Sequence, residues 1–70
     1  MELHNVVSSN LSKIGYDALS KTLLVVFNTG SVYEFSNVPE EYFTELMRSP
    51  SIGTFFSKNI RRRFKFKKVV

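Results

Sequence analysis

Apolar and polar positions change their period along this chain. From Leu11 to Asp17 a weak alternation places Ile14 and Tyr16 on one face of an extended segment. Thr22 to Phe27 is β-branched and aromatic, with apolar residues on both faces, the pattern of a central, well-covered strand. Asn28-Thr29-Gly30 follows as a turn in which Gly30 can take a positive φ without penalty. Ser31 to Phe35 alternates again, with Tyr33 and Phe35 on a shared face. Asp17-Ala18-Leu19-Ser20-Lys21 makes a second short turn between the first two segments. Connections this short predict an antiparallel three-stranded meander.

At Asn37-Val38-Pro39-Glu40-Glu41 the pattern becomes helical. Pro39 suits the first helical position, where its missing N–H would be orphaned anyway, and Glu40 and Glu41 oppose the positive end of the helix dipole. Val38, Tyr42, Phe43, Leu46 and Met47 form the apolar stripe, ending near Arg48 before Pro50. Ser51 can cap a second helix carrying Ile52, Phe55, Phe56 and Ile60 on one face; Gly53 inside it costs about 1 kcal/mol relative to Ala, so this helix is short. Arg63-Phe64-Lys65-Phe66-Lys67 alternates basic and aromatic, as an edge strand guarded by lysines or as an extended arm. Neither layer can hide its apolar side alone. The predicted fold class is therefore α+β: a three-stranded antiparallel meander followed by two short helices packed on one face, with a short C-terminal edge strand left open.

Seventy residues make a single domain, 1–70, whose ends at 1–6 and 66–70 are expected to be less ordered. A chain this short buries only about 60% of the surface its unfolded form exposes. Seven Phe and three Tyr, at roughly 150–250 Å² each, supply the needed core material. There is no cysteine, which excludes a disulfide framework, Cys-ligated zinc and a thiol nucleophile. Small secreted domains usually need such crosslinks, so a cytoplasmic location is expected. The longest unbroken apolar run, Leu23 to Phe27, is too short for a signal-peptide core or a membrane span.

The side chains that could carry chemistry are sparse. His4 is the only histidine and sits in the first few residues, with no second group evident to make it a general acid or base. Ser8-Ser9 lacks an activating histidine or buried lysine and reads as a turn or strand end. Glu40, Glu41 and Glu45 belong to the solvated first turns of a helix, and the isolated Gly30 and Gly53 make no phosphate-cradling loop. No catalytic residue, metal-ligand set or cofactor is predicted, and the chain is not expected to be an enzyme.

Several short runs together have a familiar order and spacing: Ser8-Ser9-Asn10-Leu11, Ile14-Gly15-Tyr16-Asp17, Gly30-Ser31-Val32-Tyr33-Glu34-Phe35, Val38-Pro39, Ser51-Ile52-Gly53 and Asn59-Ile60-Arg61. From about Val7 to Phe66 the chain resembles the KTSC domain, a module found at the C-terminus of some lysyl-tRNA synthetases and as free-standing small proteins of bacteria and their phages. That family's central Tyr-x-Tyr corresponds here to Tyr33-Glu34-Phe35, so the second hydroxyl is missing. The resemblance implies a single small module and raises the expectation of RNA binding, through the family's attachment to a tRNA-handling enzyme.

The distribution of charge points the same way. Lys58, Arg61, Arg62, Arg63, Lys65, Lys67 and Lys68 follow one another without an acid, whereas residues 1–57 hold Lys13, Lys21 and Arg48 against six acids. An acidic body with a basic end suggests an anionic partner. A helix dipole accounts for one or two cations at a helix end, at roughly 0.3–1 kcal/mol each, but not for seven. Arginines grip phosphates bidentately and lysines add point charge. Phe64 and Phe66 either stack on bases or anchor the tail. Tyr33 and Phe35, with Tyr16, either stack on bases from the sheet face or, the stronger reading for so small a domain, form core. The expected partner is RNA or another nucleic acid, held by Lys58 to Lys68 with Tyr33 and Phe35. The alternative is a protein-interaction module that binds an acidic protein or self-associates.

Overall fold

The alternating and helical segments appear where the pattern puts them, with one strand added in front. In a computed structural model describing residues 1–70, strands β1 (Leu3–Asn5), β2 (Leu11–Asp17), β3 (Thr22–Phe27) and β4 (Val32–Phe35) lead into helices α1 (Glu40–Arg48) and α2 (Ile52–Asn59). Strand β5 (Phe66–Lys68) follows the helices. The five strands form one sheet in the order β1-β2-β3-β4-β5, every neighbouring pair antiparallel.

Residues 1–6 and 66–70, expected to be the looser ends, carry the two edge strands. Residues 3–5 of β1 face Gly15, Ile14 and Lys13 in turn, and β5 sets Phe66 against Phe35, Lys67 against Glu34 and Lys68 against Tyr33. Pairing continues past β5: the Val32 N–H donates to the Val70 carbonyl at 3.0 Å, and the Val69 N–H to the Val32 carbonyl at 2.8 Å. Of the two forms open to the tail, edge strand and free arm, the structure takes the strand.

Because side chains alternate across a sheet, the register sorts them into two faces. Ile14, Tyr16, Leu23, Val25, Tyr33 and Phe35 point to the helices; Lys13, Leu24, Val26 and Glu34 point away. The helices cover only the first face. The core there consists of Leu11, Ile14, Leu23, Val25, Phe35, Val38, Leu46, Phe56 and Ile60. Strand β3 is central, as its composition requires, but it is not covered on both sides: Leu24 and Val26 are only half-buried. Their neighbours shield them, not a second layer.

Local chemistry sets the ends of the elements. Gly30 turns the β3–β4 hairpin with φ at 95°. Asp17 organises the preceding hairpin, its carboxylate accepting the Leu19 N–H and the Ser20 hydroxyl at 3.1 and 3.0 Å. Pro39 stands at the N-cap of α1, one position before the expected site, with φ −61° and ψ 147°. Ser51 occupies the N-cap of α2, but its hydroxyl does not bond the backbone; it meets the Thr54 hydroxyl at 2.9 Å. Gly53 has a packing reason that propensity alone hides. A Cβ at that position would lie 3.2 Å from Ser8 Oγ, so the glycine lets α2 approach the β1–β2 loop closely.

Candidate nucleic-acid interface

Ile60, fully buried at the end of α2, anchors the chain just before the three arginines. After it the chain turns tightly, the Arg63 and Phe64 N–H groups both donating to the Ile60 carbonyl at 3.1 and 3.3 Å. Phe64 anchors the turn edge-on to Tyr42, with ring centroids 5.1 Å apart and planes at 86°. Lys58, Arg61, Arg62, Arg63, Lys65, Lys67 and Lys68 are all exposed.

They are not equivalent. Arg63 donates to Tyr42 Oη at 2.6 Å and lies 5.8 Å from the centre of that ring, a contact that ties the turn to α1. Lys67 pairs with Glu34 at 3.7 Å on the sheet face turned away from the helices. The other five, Lys58, Arg61, Arg62, Lys65 and Lys68, form no ion pair. Glu40, Glu41 and Glu45 do not neutralise them; Glu45 meets only Arg48, at 4.0 Å. These five cations occupy the α2 end, the turn after it and the β5 edge.

The aromatic candidates separate too. Phe35 is 1% exposed and part of the core, so it cannot serve as a stacking platform; its place in the register, opposite Leu23 under the helices, decides that. Tyr33 keeps part of its surface, and its hydroxyl makes no hydrogen bond within the chain. Phe66, on the same sheet face, is 52% exposed and lies beside Tyr33, with ring centroids 5.5 Å apart.

Three adjoining recesses join these groups. One of about 370 Å³ includes Ser8, Ser9, Ser51 and Lys58 in its lining. The next, about 230 Å³, lies between Asn10, Asn28, Ser57 and Arg61. The third, about 210 Å³, has Phe27, Tyr33, Phe66 and Arg61 in its wall. Arg61 lines both of the last two and so stands where they meet. Sequence reasoning alone missed the recess around Ser8, Ser9, Ser51 and Lys58. Its signal lay in Ser8-Ser9-Asn10 and Ser51-Ile52-Gly53, runs that look like ordinary turn and cap residues until α2 is seen beside the β1–β2 loop. The Ser8 hydroxyl is committed to that loop, accepting the N–H groups of Asn10 and Leu11 at 3.3 Å each.

His4 stands on β1 with its ring 6.1 Å from Phe43 and its Nε2 4.0 Å from Glu2. No group of three or more His, Asp or Glu side chains converges to hold a metal ion, and no helix is long and apolar enough to cross a membrane.

The family model described as the KTSC domain matches residues 7–64. The chain belongs to the KTSC domain family. Its similarity to a lysine–tRNA ligase of Nostoc punctiforme is 36% identity over 61 residues, 87% of this chain but only 11% of the ligase. A lysine–tRNA ligase of Trichormus variabilis matches to the same extent. The chain thus spans about a tenth of the length of these curated relatives. A protein of Tsukamurella paurometabola is 33% identical over 60 residues, and there the match covers 90% of the relative. The crystal structure of a KTSC domain protein from Yersinia pestis superposes with a TM-score of 0.95 at 30% identity, covering 99% of this chain and 97% of that one. The five-stranded sheet with two helices on one face is thus the KTSC fold.

Proposed function

We propose that this KTSC domain is a small non-enzymatic module that binds nucleic acid, RNA before DNA, through the cations between Lys58 and Lys68. The observation that carries the reading is that Lys58, Arg61, Arg62, Lys65 and Lys68, close together in the chain, are all exposed and have no acidic partner. Unpaired like charges repel one another, and a fold with acids available elsewhere gains no stability from gathering them. An anionic polymer neutralises them. The similarity to part of two lysine–tRNA ligases supports RNA as the polymer.

Such binding is phosphate-driven and therefore salt-dependent. With about four phosphates neutralised, log K falls against log[salt] with a slope near −3 to −4. Fluorescence anisotropy against a structured RNA, a single strand and a duplex DNA at several ionic strengths measures it. Changing Arg61 and Arg62 together to Gln should flatten the slope by about 1.4 for single strands, and both residues are exposed enough for the fold to be unaffected. Binding that keeps its slope in this variant would reject the assignment. A protein partner, captured equally well before and after nuclease digestion, would support the acidic-protein reading instead.

A further inference from the structure

Five aromatic rings close a circle at the β5 end of the helix-covered face. Phe27 meets Tyr33 at 5.3 Å between centroids, Tyr33 meets Phe66 at 5.5 Å, and Phe66 meets Phe35 at 5.4 Å. Phe35 meets Phe56 at 5.4 Å, and Phe56 returns to Phe27 at 5.8 Å. Phe35 and Phe56 are buried and make the floor; Tyr33 and Phe66 are the open part of the wall. The recess they enclose, about 210 Å³, is smaller than the roughly 300–1,000 Å³ of pockets for drug-sized ligands, so it suits one ring system rather than a large cofactor.

Its polar groups are few and unengaged. Thr29, Ser31 and Tyr33 bring three hydroxyls that make no hydrogen bond within the chain, and Arg61 is the only charge in the lining. A rotatable hydroxyl donates or accepts as required, which suits the mixed edge of a base without selecting one. Aromatic walls alone would also attract an organic cation, but an unpaired guanidinium beside them repels it. A flat, uncharged ring joined to an anion suits the rings, the hydroxyls and the guanidinium together. We propose that this basin is a subsite for one unpaired nucleobase, with Arg61 holding the phosphate that leads into the neighbouring recess beside Asn10 and Asn28. The assignment rests on the nucleic-acid reading above and sharpens it: a base inside a duplex cannot enter, so the ligand is single-stranded.

The test uses the full chain, with adenosine 5′-monophosphate, uridine 5′-monophosphate and ribose 5-phosphate as probes in amide NMR titrations. Both nucleotides should shift Thr29, Ser31, Tyr33, Arg61 and Phe66 saturably, and ribose 5-phosphate should bind about fivefold more weakly or worse. In anisotropy with a single-stranded RNA, Phe66→Leu, which keeps the apolar bulk and removes the ring, should weaken binding about fivefold. The same variant should leave duplex binding within about twofold, since a duplex makes no stack here. Thermal melting confirms that the variant is folded. Equal binding of ribose 5-phosphate and the nucleotides would overturn the subsite. So would RNA affinity unchanged by Phe66→Leu while Arg61 and Arg62 together still set the salt slope; that result leaves the electrostatic reading standing. RNA that fails to bind the unaltered chain at low salt overturns both.

Discussion

Tyr16 and Tyr33 occupy comparable places on the same sheet face, one on each side of the central strand, yet their surroundings differ completely. Tyr16 donates its hydroxyl to the Val38 carbonyl and stacks on Phe43, with centroids 5.1 Å apart and planes 10° from parallel. Val38 is itself fully buried, and its N–H bonds the Lys21 carbonyl at 2.9 Å. That end of the molecule is closed: every polar group of the tyrosine has a partner, and the contact locks the start of α1 onto the β2–β3 turn. Tyr33 has ring neighbours but no hydroxyl partner, and it opens on a recess beside an unpaired arginine. A satisfied aromatic explains itself through stability. The other leaves its hydroxyl to solvent, beside a cation with no acidic partner.

The most severe way to break this contrast is to remove the buried floor of the open end. Phe35→Ala removes a fully buried ring and should cost about 3–5 kcal/mol. Against the roughly 0.05–0.15 kcal/mol per residue typical of a domain, this is a large share of the total and should lower the urea midpoint sharply. A variant retaining most of its stability would mean that the sheet–helix layer holds without its central ring, contrary to the packing described. The two tyrosines sharpen the contrast at smaller scale. Tyr16→Phe orphans a buried carbonyl and should lose about 1 kcal/mol in the same measurement. Tyr33→Phe should stay within about 0.5 kcal/mol of the parent. Equal losses would erase the distinction between a closed and an open end.

The weakest effect is expected in alkali. Burial holds the Tyr16 phenol above its ordinary pKa of 10.0, and the carboxylates of Glu40, Asp17 and Glu41 add to the rise. The unfolded chain therefore releases that proton first. Stability from this group is complete below pH ~10 and declines as pH rises from there through the folded value. Comparing melting temperature against pH for the parent and Tyr16→Phe isolates the effect. An alkaline limb of the same depth in both would show that Tyr16 contributes nothing to it.

Much of this architecture was legible in the residues. Strands β2 and β3 carry enough alternation and β-branching to show their extent, and the change to helical spacing after Asn37 marks α1. Strand β1 was not legible, because Leu3-His4-Asn5 is too short to show a period. Its existence depends on an open edge of β2 that only the assembled sheet provides. The same holds for β5: Arg63-Phe64-Lys65-Phe66-Lys67 suits an arm as well as a strand, and β4's free edge decides between them. In the candidate site, charge was fully visible and partnership was not. Nothing in the run from Lys58 to Lys68 distinguishes Arg63, bound to Tyr42, or Lys67, paired with Glu34, from the five cations left free.

By itself the sequence determined the elements, the apolar faces they must bury and the acidic body with its basic end, because periodicity and charge are local properties. Tertiary structure alone decided that Phe35 lies beneath the surface while Phe66 reaches it, and that Arg61 stands between two adjoining recesses. Those facts depend on strand register and on the helix laid across it, and so on residues far apart in the chain whose meeting no local pattern encodes.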